Sequence, residues 1–286
     1  VAPLPLSRRS FLAAAGGLLV TAACGSNGSK SVSAGVRPNG LDAGTVTIDP
    51  YVSSAPERFA FAISDDRRRF ASGPPARIAL EPPGGSMGPP LPTVLHAEGL
   101  PERRGIYVID VPFPTAGVWT AAVQVAGHPD APLSFEVAAQ PAVPAAGAPA
   151  PRAASPTAAD TLGVDPICTR DPACPLHTVS LDKVLGAGKP VAVMFATPAR
   201  CQSRYCGPVL DQLLSVRDAY EGRVVMVHVE IYKDSTSQDL VPTVTAWNLP
   251  GEPWLFGVDG TGKIIERLDG AMGTDEVKAL LDRLVA

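Results

Sequence analysis

Between Thr45 and Val137 the chain is built from short runs in which apolar and polar residues alternate, separated by Pro/Gly turns: TVTI, RFAFAIS, ARIAL, GIYVIDV, VWTAAVQV and LSFEV. Alternation of period two is the signature of a half-buried strand. Trp119, Ala121, Val123 and Val125 fall on one side of such a strand. Six or seven strands over residues 41–138 predict an antiparallel sandwich. From about Val164 the pattern changes to strands alternating with helices. Val191–Ala196 is a continuous apolar run and residues 224–232 are largely apolar, the pattern of strands buried on both faces. Val209, Leu210, Leu213 and Leu214 share one helical face, as do Val277, Leu280, Leu281 and Leu284. Ser180 and Thr274 are the expected caps of a short helix and of the last helix. Asp259-Gly260-Thr261-Gly262 between PWLFGV and KIIERL is a hairpin signal. The expected order is β-α-β-α-β-α-β-β-α.

Between these regions residues 139–163 are rich in Ala and Pro, which predicts an extended, semi-rigid spacer. At the other end, Ser7-Arg8-Arg9-Ser10-Phe11-Leu12 and the apolar run to Ala23 resemble a twin-arginine signal peptide over residues 1–23. Thr21-Ala22-Ala23-Cys24, followed by a flexible polar tether over 24–40, resembles a bacterial lipoprotein processing site. The resemblance implies an exported protein lipidated on Cys24, anchored to the outer face of the cell membrane. A soluble exported protein is the alternative. The chain of 286 residues carries a net charge of -4 with acids and bases interspersed, so it has no nucleic-acid footprint.

Export places the remaining four cysteines where disulfides persist. Cys168 and Cys174 bracket a charged turn at Pro172, and a structural disulfide between them is expected. Cys201 and Cys206 lie between an apolar strand and an amphipathic helix. Five residues apart on one helix, their Cα atoms would be about 8.7 Å apart, too far to bridge. Either Cys201 lies in the turn before the helix, or the first helical turn unwinds on oxidation. A helix start and the cations Arg200 and Arg204 favour a thiolate on Cys201, with Cys206 as the resolving thiol.

FATPARC and CGPVLDQL resemble the active-site turn and helix of thioredoxins and of exported thiol–disulfide oxidoreductases of the TlpA/ResA kind. Glu252-Pro253 and WLFGVDGTGKIIERLDG resemble that family's cis-proline turn and terminal hairpin. The resemblance implies a thioredoxin fold over residues 164–286. It implies a cis Pro253 facing Cys201, and catalysis by Cys201 and Cys206 with no cofactor. Partners would be exported thiol or disulfide proteins and a membrane or extracytoplasmic electron donor. The spacing here is C-x-x-x-x-C where the family has C-x-x-C, and Met194 stands near the position of the family's buried acid. GIYVIDVPFP and the strand after it loosely resemble immunoglobulin-like domains of the CopC/YtkA kind, some of which bind copper.

Other readings stay open: a structural Cys201–Cys206 disulfide in a surface binding module, a peroxiredoxin-like peroxidase with Thr197 near Cys201, or copper handling with His177 or His228. Both histidines are expected to be structural, and His96, His128 and Met87 to be exposed loop residues. No metal site is expected, since the sequence does not bring four ligands together.

Overall fold

The computed structural model describes residues 40–65, 73–100, 105–201 and 205–286. The twin-arginine stretch, Cys24 and Arg204 lie outside the described residues.

The first unit comprises β1 (Asp42–Thr45), β2 (Ser53–Ser64), β3 (Ala76–Glu81), β4 (Leu91–Pro92), β5 (Val94–His96), β6 (Ile106–Phe113), β7 (Gly117–Val125) and β8 (Ala131–Val137). They form two four-stranded antiparallel sheets, ordered β1-β2-β6-β5 and β4-β3-β7-β8. Phe59, Phe61 and Phe113 of the first sheet meet Ile78, Trp119 and Phe135 of the second in one core. The Phe59 and Phe135 rings lie 4.3 Å apart, and Phe113 packs edge-on against Trp119 at 5.2 Å. Trp119, Ala121, Val123 and Val125 are all buried, as the alternation requires. β4 and β5 are too short to show as an alternating pattern.

The second unit contains α1 (Leu181–Val184), β9 (Val191–Phe195), α2 (Cys206–Val216), β10 (Val225–Val229), α3 (Pro242–Ala246), β11 (Trp254–Val258), β12 (Ile264–Asp269) and α4 (Thr274–Val285). Its sheet runs β10-β9-β11-β12, with β9 and β10 parallel and the other pairs antiparallel. The sheet is covered on both faces. Val191, Val193 and Phe195 pack with Leu181, Val244 and Trp247 on one side. Ala192 and Met194 pack with Val209, Leu213, Val277 and Leu280 on the other. The expected strand before α1 is not formed. Residues 165–177 instead run irregularly past β10, touching the backbone where Asp165 N–H donates to Lys233 and Leu176 carbonyl accepts from His228. Pro166, Pro172 and Pro175 remove the donors that a ladder needs. One cap differs: Gly273, not Thr274, caps α4, with its N–H donating to Glu276. Ser180 stands at the N-cap of α1 as expected, its hydroxyl accepting from the Ser155 N–H.

Residues 139–163, expected as a spacer, are laid onto the second unit. Val143, Ala150, Ser155 and Thr157 are buried. Gly147 and Ala150 donate backbone hydrogen bonds to Ile264 and Gly262, and Ile264 donates back to Ala148. Small Ala side chains let the backbone approach closely enough to pair, which composition alone does not reveal.

The two units also bond directly. Arg58 of β2 donates to the Glu276 carboxylate at 2.8 Å and to the carbonyls of Asp269 and Ala271 at 3.0 and 2.8 Å. Arg267 of β12 pairs with Asp49 at 2.9 Å and lies 4.7 Å from the Tyr51 ring. Ala60, Leu100 and Ile106 share a small core with Ala271 and Tyr205, the residue before Cys206. His96 is not a lone loop residue: it ends β5, and its Nδ1 lies 2.7 Å from Asp275 of α4.

Candidate functional site

β9 delivers the chain into a turn at Thr197, where the N–H groups of Arg200 and Cys201 both donate to the Thr197 carbonyl. Cys201 therefore precedes the helix, and Cys206 is the first residue of α2. With one sulfur off the helix the Cα–Cα distance is 5.8 Å, and the two cysteines form a disulfide. No unwinding of a helical turn is needed. Cys201 is partly exposed and Cys206 is fully buried among Met194, Val209 and Leu210. The Cys206 N–H points at Cys201 Sγ at 3.3 Å. The first N–H groups of a helix have no partner within it, so this donor is available to a negative charge on that sulfur.

The Glu252–Pro253 peptide bond is cis, as the resemblance implies. The feature missed in the sequence is the glutamate beside it. A Glu252 carboxylate oxygen, Cys201 Sγ and Cys206 Sγ lie within 4.8 Å of one another. Burial pushes the Glu252 carboxyl up to about 7, against a lowering hydrogen bond from the Thr197 N–H at 2.7 Å. Met194 is a core residue, so an acid near this disulfide comes from β11's entry turn and not from β9. The only signal was its position before the expected cis-proline.

Arg200 does not face the disulfide. Its guanidinium donates to the carbonyls of Asp234 and Ser237 at 2.7 Å each and lies 4.4 Å from the Tyr232 ring. The Thr197 hydroxyl accepts from the Ile231 N–H at 3.0 Å.

Cys168 and Cys174 are not joined to each other. Both are free, buried thiols, and they lie beside His177 and His228. The two histidines thus group with these cysteines and not with Cys201 and Cys206. Four ligand-type side chains, which the sequence separates by up to sixty positions, come together because the 165–177 segment folds over β10. The Cys174 hydrogen bond, opposed by burial and helped by both imidazoles, holds the Cys168 thiol well below the usual thiol range. The same bond, together with burial, pushes Cys174 up. Thr169, next to Cys168, bonds toward the turn that carries Cys201. Thr169 donates from its N–H to Glu230 at 2.6 Å, and its hydroxyl accepts from the Ala199 N–H at 3.2 Å.

Residues 178–284 match the family model described as a thioredoxin-like domain. The fold, with a cysteine pair at the start of α2, defines the second unit as a thioredoxin-like domain. No curated protein matches the chain. Among solved structures, a thiol:disulfide interchange protein of the thioredoxin family from Chlorobium tepidum TLS is 15% identical with a TM-score of 0.34, over 48% of this chain and 96% of that one. The Lin-41 filamin domain is 14% identical with a TM-score of 0.23, over 33% of this chain and 90% of that one.

Proposed function

We propose that the protein carries out thiol–disulfide exchange through Cys201 and Cys206. The observation that carries this reading is a disulfide with one accessible and one buried sulfur, a helix N–H on the accessible one and a carboxyl titrating near neutrality beside both. In the reduced protein the Cys201 thiolate attacks a partner disulfide, forming a mixed disulfide and releasing one partner thiolate. Glu252 takes the proton of the Cys206 thiol. The Cys206 thiolate then attacks Cys201 Sγ, closing the intramolecular disulfide and expelling the second partner thiolate, and solvent protonates both. Every step is reversible, so the same residues oxidise a dithiol when run backwards.

Redox titration against glutathione or dithiothreitol, read by mass after alkylation, tests the reading. The Cys201–Cys206 couple is expected above about −300 mV, the level below which structural disulfides fall. A more negative couple, or one that opens only in denaturant, would make it a structural clip in a binding module.

The proposed setting is extracytoplasmic, at the membrane surface. The arginine pair, the apolar run and Thr21-Ala22-Ala23-Cys24 support it. Among the described residues no helix is long and apolar enough to cross a membrane. The mature protein should then weigh as a chain beginning at a diacylglyceryl Cys24. A mature chain starting elsewhere and partitioning into water would refute the anchor. The proposed partners are exported thiol or disulfide proteins and an extracytoplasmic electron donor.

A further inference from the structure

We propose that Cys168, Cys174, His177 and His228 form a closed tetrahedral site for a zinc-type ion, separate from the redox pair. All four residues are buried, and their ligand atoms lie within 4.8 Å of one another. The individual edges are more telling. Cys174 Sγ is 3.3 Å from His177 Nε2 and 3.4 Å from His228 Nδ1, Cys168 Sγ is 3.8 Å from His228 Nδ1, and the two imidazole nitrogens are 3.2 Å apart. Zinc–sulfur bonds of about 2.3 Å and zinc–nitrogen bonds of about 2.0–2.1 Å, set at tetrahedral angles, give edges of about 3.3–3.8 Å. Four of the six edges thus have the length that zinc requires, and the other two, from Cys168 to Cys174 and to His177, are within 4.8 Å.

The outer contacts agree. His228 Nε2 lies 2.9 Å from the Ala196 carbonyl, which can only accept, so Nε2 carries the proton. Nδ1 of the neutral ring is then left with its lone pair aimed at the sulfurs and at His177. Carbonyl-anchored imidazoles of this kind are the usual support of a metal-bound histidine. Two thiolates and two neutral imidazoles leave a zinc complex with no net charge, which suits a buried position. Four protein ligands leave no open coordination position, so the role is structural. It fastens the irregular 165–177 segment, which lacks a β-ladder, to β10. It also explains why these two cysteines stay unbridged in a chain that closes a disulfide elsewhere.

The test uses the full chain and its C201S/C206S variant, which removes the other cysteine pair. Both, purified without chelator, should carry a single zinc per chain by native mass spectrometry. After zinc removal under reducing conditions, cobalt(II) alone should restore one equivalent of binding in both. The product should show the strong visible bands of tetrahedral cobalt and a thiolate-to-cobalt charge-transfer band. His177→Ala and Cys174→Ser should each weaken cobalt binding by at least about tenfold while the Cys201–Cys206 disulfide still forms. A weak octahedral spectrum, no binding, binding of copper(I) but not of zinc or cobalt, or a Cys168–Cys174 disulfide in zinc-supplied protein would each overturn the site. The wild-type cobalt spectrum decides the matter even if the substituted chains fail to fold.

Discussion

Cys206→Ser should convert the protein into a trap that accumulates mixed disulfides through Cys201. Cys206 is completely buried and cannot meet a partner, whereas Cys201 is partly exposed in the turn before α2. Without the buried thiol the first exchange still occurs and the second does not, so the adduct survives. Non-reducing gels and peptide mapping should show adducts on Cys206→Ser and none on Cys201→Ser. Adducts on Cys206 in the Cys201→Ser protein would reverse the assigned roles. Glu252→Gln separates attack from resolution. Burial places the Glu252 carboxyl near 7, so in the native protein the base form grows as pH rises through that value. Closure of the mixed disulfide should therefore accelerate from pH 6 to pH 8 in the native protein. In Glu252→Gln it should be slower at pH 8, by on the order of tenfold or more, and should lose that step in its pH profile. An unchanged profile would remove Glu252 from the proton path.

Arg58→Met should be the most damaging single change away from the cysteines. The guanidinium is buried between the two units, against Glu276, Asp269 and the Ala271 carbonyl. Removing it takes the cation from two buried carboxylates, which keep only backbone donors from Ile48, Asp49 and Gly273 and the more distant Arg267, a loss of about 3–5 kcal/mol for a broken buried pair. For a chain of this length the melting temperature should fall by about 5–10 °C. The sign of the pH dependence follows from Glu276. Burial raises its pKa, but the charge and hydrogen bonds of Arg58 bring it below the ordinary carboxylate value. A depressed folded pKa contributes stability above the unfolded pKa, and that contribution is lost as pH falls through the folded value. The difference between native protein and variant should thus be widest near neutrality and shrink in acid. A shift of under 1 °C at pH 7 in differential scanning calorimetry would contradict the argument.

The core was legible where periodicity is strong. β7, β9 and β10 and the buried faces of α2 and α4 follow from alternation or from helical spacing. The Asp259 turn was legible because its carboxylate accepts from the Thr261 and Lys263 N–H groups, a job few side chains can do. What escaped depends on tertiary approach. Cys168 and Cys174 look like a short disulfide loop until His228 arrives from a strand distant in sequence. Glu252 looks like a surface carboxylate until the turn before β11 half-buries it beside the disulfide. Residues 139–163 have the composition of a tether, and only contact with β12 shows that they are bound.

The segments laid along the second unit's sheet have a bearing on how the protein behaves in company. An outer strand normally offers a row of unpaired N–H and C=O groups on which another chain can build. Here β12 is faced by residues 147–150 and β10 by the 165–177 segment. Both covers carry prolines, among them Pro149, Pro166, Pro172 and Pro175, and an imide nitrogen has no hydrogen to give. Each cover bonds one end or one residue of its strand, at Ile264 of β12 and His228 of β10, and presents a poor template on its outward side. The second unit's sheet is thereby a poor seed for edge-to-edge growth, and collisions through its outer strands should end in separation rather than in fibres.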